Sequence, residues 1–331
     1  MAALLALCCA AAAASPLQAQ LLDDSYPRSS HAALRAEVRA SEAPQVPFKN
    51  FSAPYLAKAL AEGVDWRARG AVTPVKDQGV HGFCGTFGRV GSAEGQWALR
   101  SGRALTSFSE QMLIDCIGWS ADQYSYFSPR GFETSAAYPY NESAYPDVNP
   151  PVPGNPCTFD PAKAVPGTPG FFTFRTGEAP DEAQMAAFVY HNGPVSAGID
   201  ANVFRLREPG CEARGDCFIN ATACATGSEM DHSIVIVGFG TSATQGDYWM
   251  CVGTTRARIP PAPPHPLTLF HLPFHPPPFY PCCSIKNSWS TRFANAGFIN
   301  VARGVQCGGL CSDPSICGNV FGTGANSSYF E

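Results

Sequence analysis

The sequence predicts an α+β fold of two packed subdomains, a helical N-terminal half and a strand-rich C-terminal half, with a cleft between them. Three observations carry this prediction. After Cys84, residues Phe87, Val90 and Trp97 recur roughly a turn apart, as on one side of a helix. From residue 194 onward, short apolar runs such as PVSAGI, HSIVIVGFG and GFINVAR are separated by turn residues, as strands are. Between these halves, residues 124–170 are rich in Pro, Gly and Tyr and read as loops.

In chain order, the apolar run at 1–19, MAALLALCCAAAAASPLQA, is too short to span a bilayer. It ends in small residues, with Ala19 before a candidate cleavage point, and so reads as a signal peptide. An apolar helix of the mature fold is the alternative. Residues 20–62 are polar, mixed and weakly periodic and read as a short propeptide or leader. VDWRARGAVTPVKDQG then opens the main domain, residues 63–331, helical over about 66–170 and strand-rich over about 171–331.

A helix is expected from Cys84 to about Leu99. Its glycines, Gly85, Gly88, Gly91 and Gly95, each weaken it by about 1 kcal/mol relative to alanine. Packing must hold such a helix, and the glycines permit close approach. A second helix is expected over Ser107–Cys116 and a third near 180–191. The strand-like runs PVSAGI, HSIVIVGFG, DYWM, SIKNSW and GFINVAR follow.

Residues 251–284 interrupt what otherwise reads as one strand, and ten of the twenty-two residues from Pro260 to Pro281 are proline. Proline cannot donate to a β-ladder, so this segment is not sheet. It reads either as translated intron or as a Pro-rich surface insertion. If Ser284 is encoded AGC, excision of a GT…AG segment from the last base of the Met250 codon leaves Asp-Tyr-Trp-Ile-Ile-Lys-Asn-Ser-Trp, an ordinary alternating strand.

A net charge of −5 with no basic block gives no footing for nucleic-acid binding, and no stretch other than the N-terminal one approaches a membrane span. Fourteen cysteines suit an oxidising compartment, and sequons at Asn50, Asn141, Asn220 and Asn326 agree with a secretory route.

Acyl transfer by a thiol needs a thiolate, a base, an orienter for the base and donors for the oxyanion. KDQGVHGFCGTF places Cys84 at a helix N-terminus, where the helix dipole lowers a thiol pKa. It also places Gln78 six residues earlier, able to set its amide beside the Cys84 N–H. EMDHSIVIVGFG puts His232 at the head of an apolar strand, and IKNSW puts Asn287 on a later one, followed by Trp289. The competing readings are Cys84 as a half-cystine or a buried thiol, which its flanks disfavour, His232 as a core histidine, and Asn287 and Trp289, taken alone, as turn and core residues. His191 reads as a surface residue and Glu94 as a buried structural carboxylate.

The ordered set VDWRARGAVTPVKDQG, GxxEGQ, SFSEQMLIDC, AAYPY, NGPVSAGID, DHSIVIVGFG, DYW and KNSW resembles the papain-like cysteine peptidases over about Val64–Arg303. The resemblance implies a papain-like two-subdomain fold with a β-barrel-like C-terminal half and the active-site cleft between the halves. It implies Cys84 as nucleophile, His232 as base, Asn287 as orienter and Gln78 as oxyanion donor, with Trp289 shielding the His–Asn hydrogen bond. Gly198, Met230 and Ser233 become the candidate lining of an apolar substrate pocket. No metal or organic cofactor is implied. The expected partners are protein or peptide substrates, with no nucleic acid, no membrane after signal removal, and a monomeric state. The resemblance also suggests disulfides Cys116–Cys157 and Cys224–Cys307, and sequence proximity suggests Cys211–Cys217 and Cys311–Cys317.

The sequence departs from the family pattern in several places. His81 stands where the family has a cysteine bonded to one in a later GCxGG loop, and that loop, which forms one wall of the groove, is absent after Cys116. Gly85 stands in place of a tryptophan, Phe83 in place of a small residue, and Phe293 in place of the second tryptophan of WGxxWG. A large-to-small core change costs about 3–5 kcal/mol unless repacked, and Phe83 can fill part of that volume. Between Ala19 and Val64 no helical inhibitory prosegment motif is recognisable.

The function expected is a cysteine-type endopeptidase working through a Cys84 thioester, in a lysosomal, vacuolar or extracellular setting. The alternative is a catalytically impaired homologue that binds peptides or serves as a scaffold.

Overall fold

Helix α2 (Cys84–Ser101) separates two hydrophobic cores. The protein is described by a computed structural model over residues 45–46, 49–79, 81–117, 131–144, 156–165, 171–174, 181–225, 231–249, 285–286, 291, 293–310 and 320–321. At 3.6 residues per turn, Cys84, Gly88, Gly91 and Gly95 share one stripe about 60° wide, and Val90, Ala93 and Trp97 lie opposite. The Val90 side packs with Phe108, Met112, Leu113 and Phe132 into the core of the helical half. There Trp97 meets Phe108 edge-on at 5.6 Å and Phe108 stacks on Phe132 at 4.6 Å. The glycine stripe meets the other half. A Cβ at Gly88 would lie 2.4 Å from the Ser233 hydroxyl, and one at Gly95 would lie 2.3 Å from the Ala71 carbonyl oxygen. Glycine is therefore required by the packing, at the expense of helix propensity.

Helix α2 runs two residues past the expected Leu99 and stops at Gly102, whose φ of 65° is left-handed. Helix α3 (Glu110–Ile117) starts three residues later than the sequence suggested. The Ser109 hydroxyl accepts from the Met112 N–H at 3.0 Å and caps it there, while Phe108 bridges to Thr134.

Residues read as leader carry helix α1 (Ala53–Glu62), with proline in its first turn. It packs on α4 (Glu182–Asn192), which is capped by Asp181 accepting from the Gln184 N–H at 2.7 Å. Phe51, just before α1, is buried; its N–H donates to Gln184 Oε1 at 2.7 Å, and Gln184 Nε2 donates back to the Phe51 carbonyl at 3.4 Å. The Tyr55 hydroxyl lies 2.8 Å from His191 Nδ1, and the Tyr190 hydroxyl bonds Glu62. His191 is thus half-buried under α1, not a surface residue, because the aromatic Phe51 and Tyr55 rings cover it.

The strands are β1 (Gln45–Val46), β2 (Val64–Asp65), β3 (Phe171–Phe174), β4 (Val195–Ile199), β5 (Phe218–Ile219), β6 (His232–Ile236), β7 (Gly238–Ser242), β8 (Gly246–Trp249), β9 (Ile285–Lys286), β10 (Phe298–Ala302) and β11 (Val320–Phe321). Eight of them form one sheet in the order β2-β7-β8-β10-β9-β6-β4, with β5 beside β10. A smaller sheet runs β1-β3-β11. The larger core lies between the eight-stranded sheet and α4, around Phe188, Ile199, Ile234, Ile236, Phe239, Trp249 and Val301. β8 and β9 both pair antiparallel with β10. The segment between them, read from sequence as intron or insertion, lies outside the described residues.

Disulfides join Cys116 to Cys157, Cys211 to Cys217 and Cys224 to Cys307. They tie α3 to the 156–160 loop and tie two turns of the strand-rich half together. Cys311 and Cys317 lie outside the described residues.

Candidate active site

Cys84 is the first residue of α2, completely buried and outside the three disulfides. The position is set locally: Gly82 and Phe83 turn the chain, and the Phe83 carbonyl accepts the Phe87 N–H at 3.1 Å to open the helix. The positive end of an 18-residue helix favours an anion at this place. Beneath it, Phe83, Phe87 and Ile114 form a small apolar cluster, edged by Tyr140 and Ala144. Phe83 is 1% exposed, so the aromatic side chain is used as packing just before the position where Gly85 leaves none.

Gln78 is also fully buried. Its side-chain amide nitrogen donates to the His81 backbone carbonyl at 2.8 Å, and the Gln78 backbone carbonyl accepts from the Tyr140 hydroxyl at 2.7 Å. Burial first, and then the charges of Glu142, Glu110 and Asp77, push the Tyr140 phenol far above its ordinary pKa, so it remains a donor.

His232 opens β6, opposite Ile199 of β4, with no exposed surface. Its ring stands edge-on to Phe204 at 6.2 Å. The preceding residue is fixed on both sides: the Asp231 N–H donates to Ile199 O at 3.2 Å, and Asp231 Oδ1 accepts from the Ala201 N–H at 2.8 Å. The packing of α2 on β6 brings the two key positions into one neighbourhood. Gly88, one turn (about 6 Å) beyond Cys84, rests on Ser233, the residue after His232.

Among the candidate pocket residues, Gly198 lies directly across the ladder from Ser233, and both are buried. Ser196, not singled out from the sequence, shares that face: its hydroxyl is 3.3 Å from the Ser233 hydroxyl and would lie 3.1 Å from a Cβ at Gly88. The signal was present in the two-residue alternation of Ser196 and Gly198 along the strand. Asn287, Trp289 and Met230 lie outside the described residues. Among the described residues, Cys211, Glu212 and Cys217 bring potential metal-ligand atoms together, but the two sulfurs are bonded to each other. No helix among the described residues is long and apolar enough to cross a membrane.

Below the cleft side of α2, Glu94 is fully buried, as a structural carboxylate should be. It accepts from Thr73, from the Phe108 N–H at 2.8 Å and from Lys76 Nζ at 2.6 Å. Lys76 also reaches Glu110 at 2.6 Å and the Phe108 carbonyl at 2.9 Å. This network anchors the segment that delivers Gln78 to the helix that carries Cys84.

The geometry agrees with what this chain resembles. The family model described as "Papain family cysteine protease" matches residues 60–254, a span that holds Gln78, Cys84 and His232. Digestive cysteine proteinase 2 of Homarus americanus is 30% identical over 73% of this chain and 62% of its own length. Cathepsin L1 of Drosophila melanogaster is 31% identical over 75% of this chain and 56% of its own. The chain thus spans roughly three fifths of the length of these curated relatives. The solved structure of digestive procathepsin L 3 from Tenebrio molitor larval midgut superposes with a TM-score of 0.54 at 26% identity, covering 88% of this chain and 79% of that one. The α+β architecture is therefore papain-like, and the chain belongs to the papain family of cysteine proteases.

Proposed function

We propose that the protein is a cysteine-type endopeptidase that cleaves protein or peptide substrates through a Cys84 thioester. The observation that carries this reading is the seating of Gly88 on Ser233, which sets the N-terminus of α2 beside the head of β6. His232 takes the Cys84 proton, and the thiolate attacks the scissile carbonyl carbon. The oxyanion is held by Gln78 and the Cys84 N–H. The C–N bond then breaks, His232 returns the proton to the leaving amine, and water hydrolyses the thioester. In this reading Asn287 orients His232, Trp289 covers that contact, and Gly198, Met230 and Ser233 line the pocket for an apolar substrate residue.

The disulfides and the cathepsin L and digestive-proteinase likeness support passage through the secretory pathway. Within it we assign the working protein to a lysosome-like or extracellular compartment, as a monomer. The repacking of Phe83 with Phe87 and Ile114 favours a competent site over an impaired scaffold. The test is labelling by an epoxide-type thiol inhibitor. Labelling is expected in the wild type and not in Cys84→Ala; a folded protein that takes no label is a scaffold and not a peptidase.

A further inference from the structure

We propose that His81 is a positioning residue for acyl transfer, holding the Gln78–Cys84 turn to the 140–144 segment through its side chain. This rests on the peptidase reading above. His81 is 4% exposed, and its Nε2 lies 3.1 Å from the Glu142 carbonyl oxygen. A carbonyl oxygen only accepts, so Nε2 carries the proton and donates. The same residue's backbone carbonyl receives two donors: Gln78 Nε2 at 2.8 Å and the Phe83 N–H at 2.9 Å. One side chain therefore fixes the carbonyl that aims the Gln78 amide and shapes the step into Cys84. An amide nitrogen has two protons, and anchoring one of them on His81 O sets the direction of the other.

Three neighbouring contacts share the task. The Tyr140 hydroxyl holds the Gln78 carbonyl at 2.7 Å, and the His81 ring packs on Phe83 at 5.6 Å. Gly79, at a φ of 64°, lies so close to Glu142 that a Cβ there would be 2.0 Å from the carboxyl carbon. The turn is thus pressed against the 140–144 segment at Gln78, Gly79 and His81, and the His81 ring is its polar side-chain tie. Oxyanion donors act only if fixed where charge develops, so loosening this tie should slow acyl transfer more than it affects thiol reactivity.

The test compares two reactions of Cys84 in the full-length protein. Alkylation by iodoacetamide forms an S–C bond with loss of iodide and needs the thiolate alone. Hydrolysis of a peptide amide needs the oxyanion donors as well. His81→Phe, which keeps the ring and removes the donor, should lower kcat for the amide tenfold or more, with the alkylation rate within twofold of wild type and KM little changed. His81→Gln, which keeps an N–H at similar reach, should recover most of kcat. The proposal is overturned if His81→Phe turns over amide like the wild type. It is equally overturned if both variants lose alkylation and amide turnover in the same proportion, with a matching fall in Tm. A wild type that neither alkylates at Cys84 nor cleaves amide instead removes the peptidase reading on which the proposal stands.

Discussion

Trp249 and Ile285 pair with Val301 and Ile299, two places apart along β10. Tyr248 faces Ala302 and Lys286 faces Phe298, so the partners run in one unbroken antiparallel register with a single place, opposite Asn300, between the two pieces. That is the register of one strand, and the sequence on either side is the alternating DYW and IK of such a strand.

Replacing Met250–Ser284 by a single isoleucine should therefore leave the fold intact and raise its stability. Closing the loop over about five fewer doublings of length gains on the order of 3 kcal/mol. Urea unfolding of the shortened protein against the full chain measures this. An insoluble or unfolded product would show that the segment belongs to the fold. Transcript reads that lack the segment would give the same answer from the message.

The contact between Gly88 and Ser233 links packing to chemistry. Gly88→Ala gains about 1 kcal/mol of helix propensity but sets a methyl group 2.4 Å from the Ser233 hydroxyl. The helix must move away from β6, and Cys84 moves with it. Amide hydrolysis should fall at least tenfold, because about 1 Å of misplacement costs on the order of a hundredfold. Adding Ser233→Ala removes the clashing oxygen and should restore most of the activity. A double variant as inactive as Gly88→Ala would refute the steric account.

Lys76 lies between two buried carboxylates, 2.6 Å from each. Burial opposes its charge, but Glu110 and Glu94 outweigh burial and hold its pKa above the ordinary lysine value. Lys76→Met would leave both acids without their cation and should cost about 3–5 kcal/mol. Burial also pushes the Glu110 carboxyl up; Lys76 pulls it back, and the Glu94 charge raises it again.

The direction of the pH effect follows from these shifts. Between the unfolded value of about 4.3 and the higher folded one, the native state binds more protons than the unfolded chain. Stability therefore falls as pH rises through that window and is flat above it. Lys76 adds nothing to the slope there, since its stabilisation is lost only when pH rises through its raised, alkaline pKa. Glu110→Gln removes the slope. Urea midpoints from about pH 4 to 7 should show the wild type losing ground to Glu110→Gln as pH rises. Parallel curves would rule the coupling out.

The legible part of this protein was what repeats locally or sits in a distinctive run. Helix α2, the head of β6 at His232 and the buried placement of Glu94 all follow from short stretches of sequence. So does the glycine stripe, because three of its members share the face of Cys84. Contacts made over distance were not legible. Lys76 meets Glu110 across thirty-four positions, and His81 meets Glu142 across sixty-one, with no pattern in either segment to announce it. Helix α1 was hidden for another reason: its apolar stripe, Tyr55, Leu56, Ala59 and Leu60, is little more than one turn long, and only Ala59 of its ten residues is fully buried.

That same helix supplies the last test. Its hold on the domain is concentrated at Phe51, 4% exposed and stacked on Tyr55 at 5.2 Å, and at the Tyr55–His191 hydrogen bond. Phe51→Ala should destabilise the domain by about 3 kcal/mol through the cavity it leaves. Tyr55→Phe, which keeps the ring and loses one hydrogen bond, should cost about 1 kcal/mol. If α1 were a dispensable leader, both variants would unfold at the wild-type urea concentration. If it is part of the domain, the midpoints should drop in the order Phe51→Ala, then Tyr55→Phe. Removal of residues up to Glu62 should cost more than either, because it also uncovers α4.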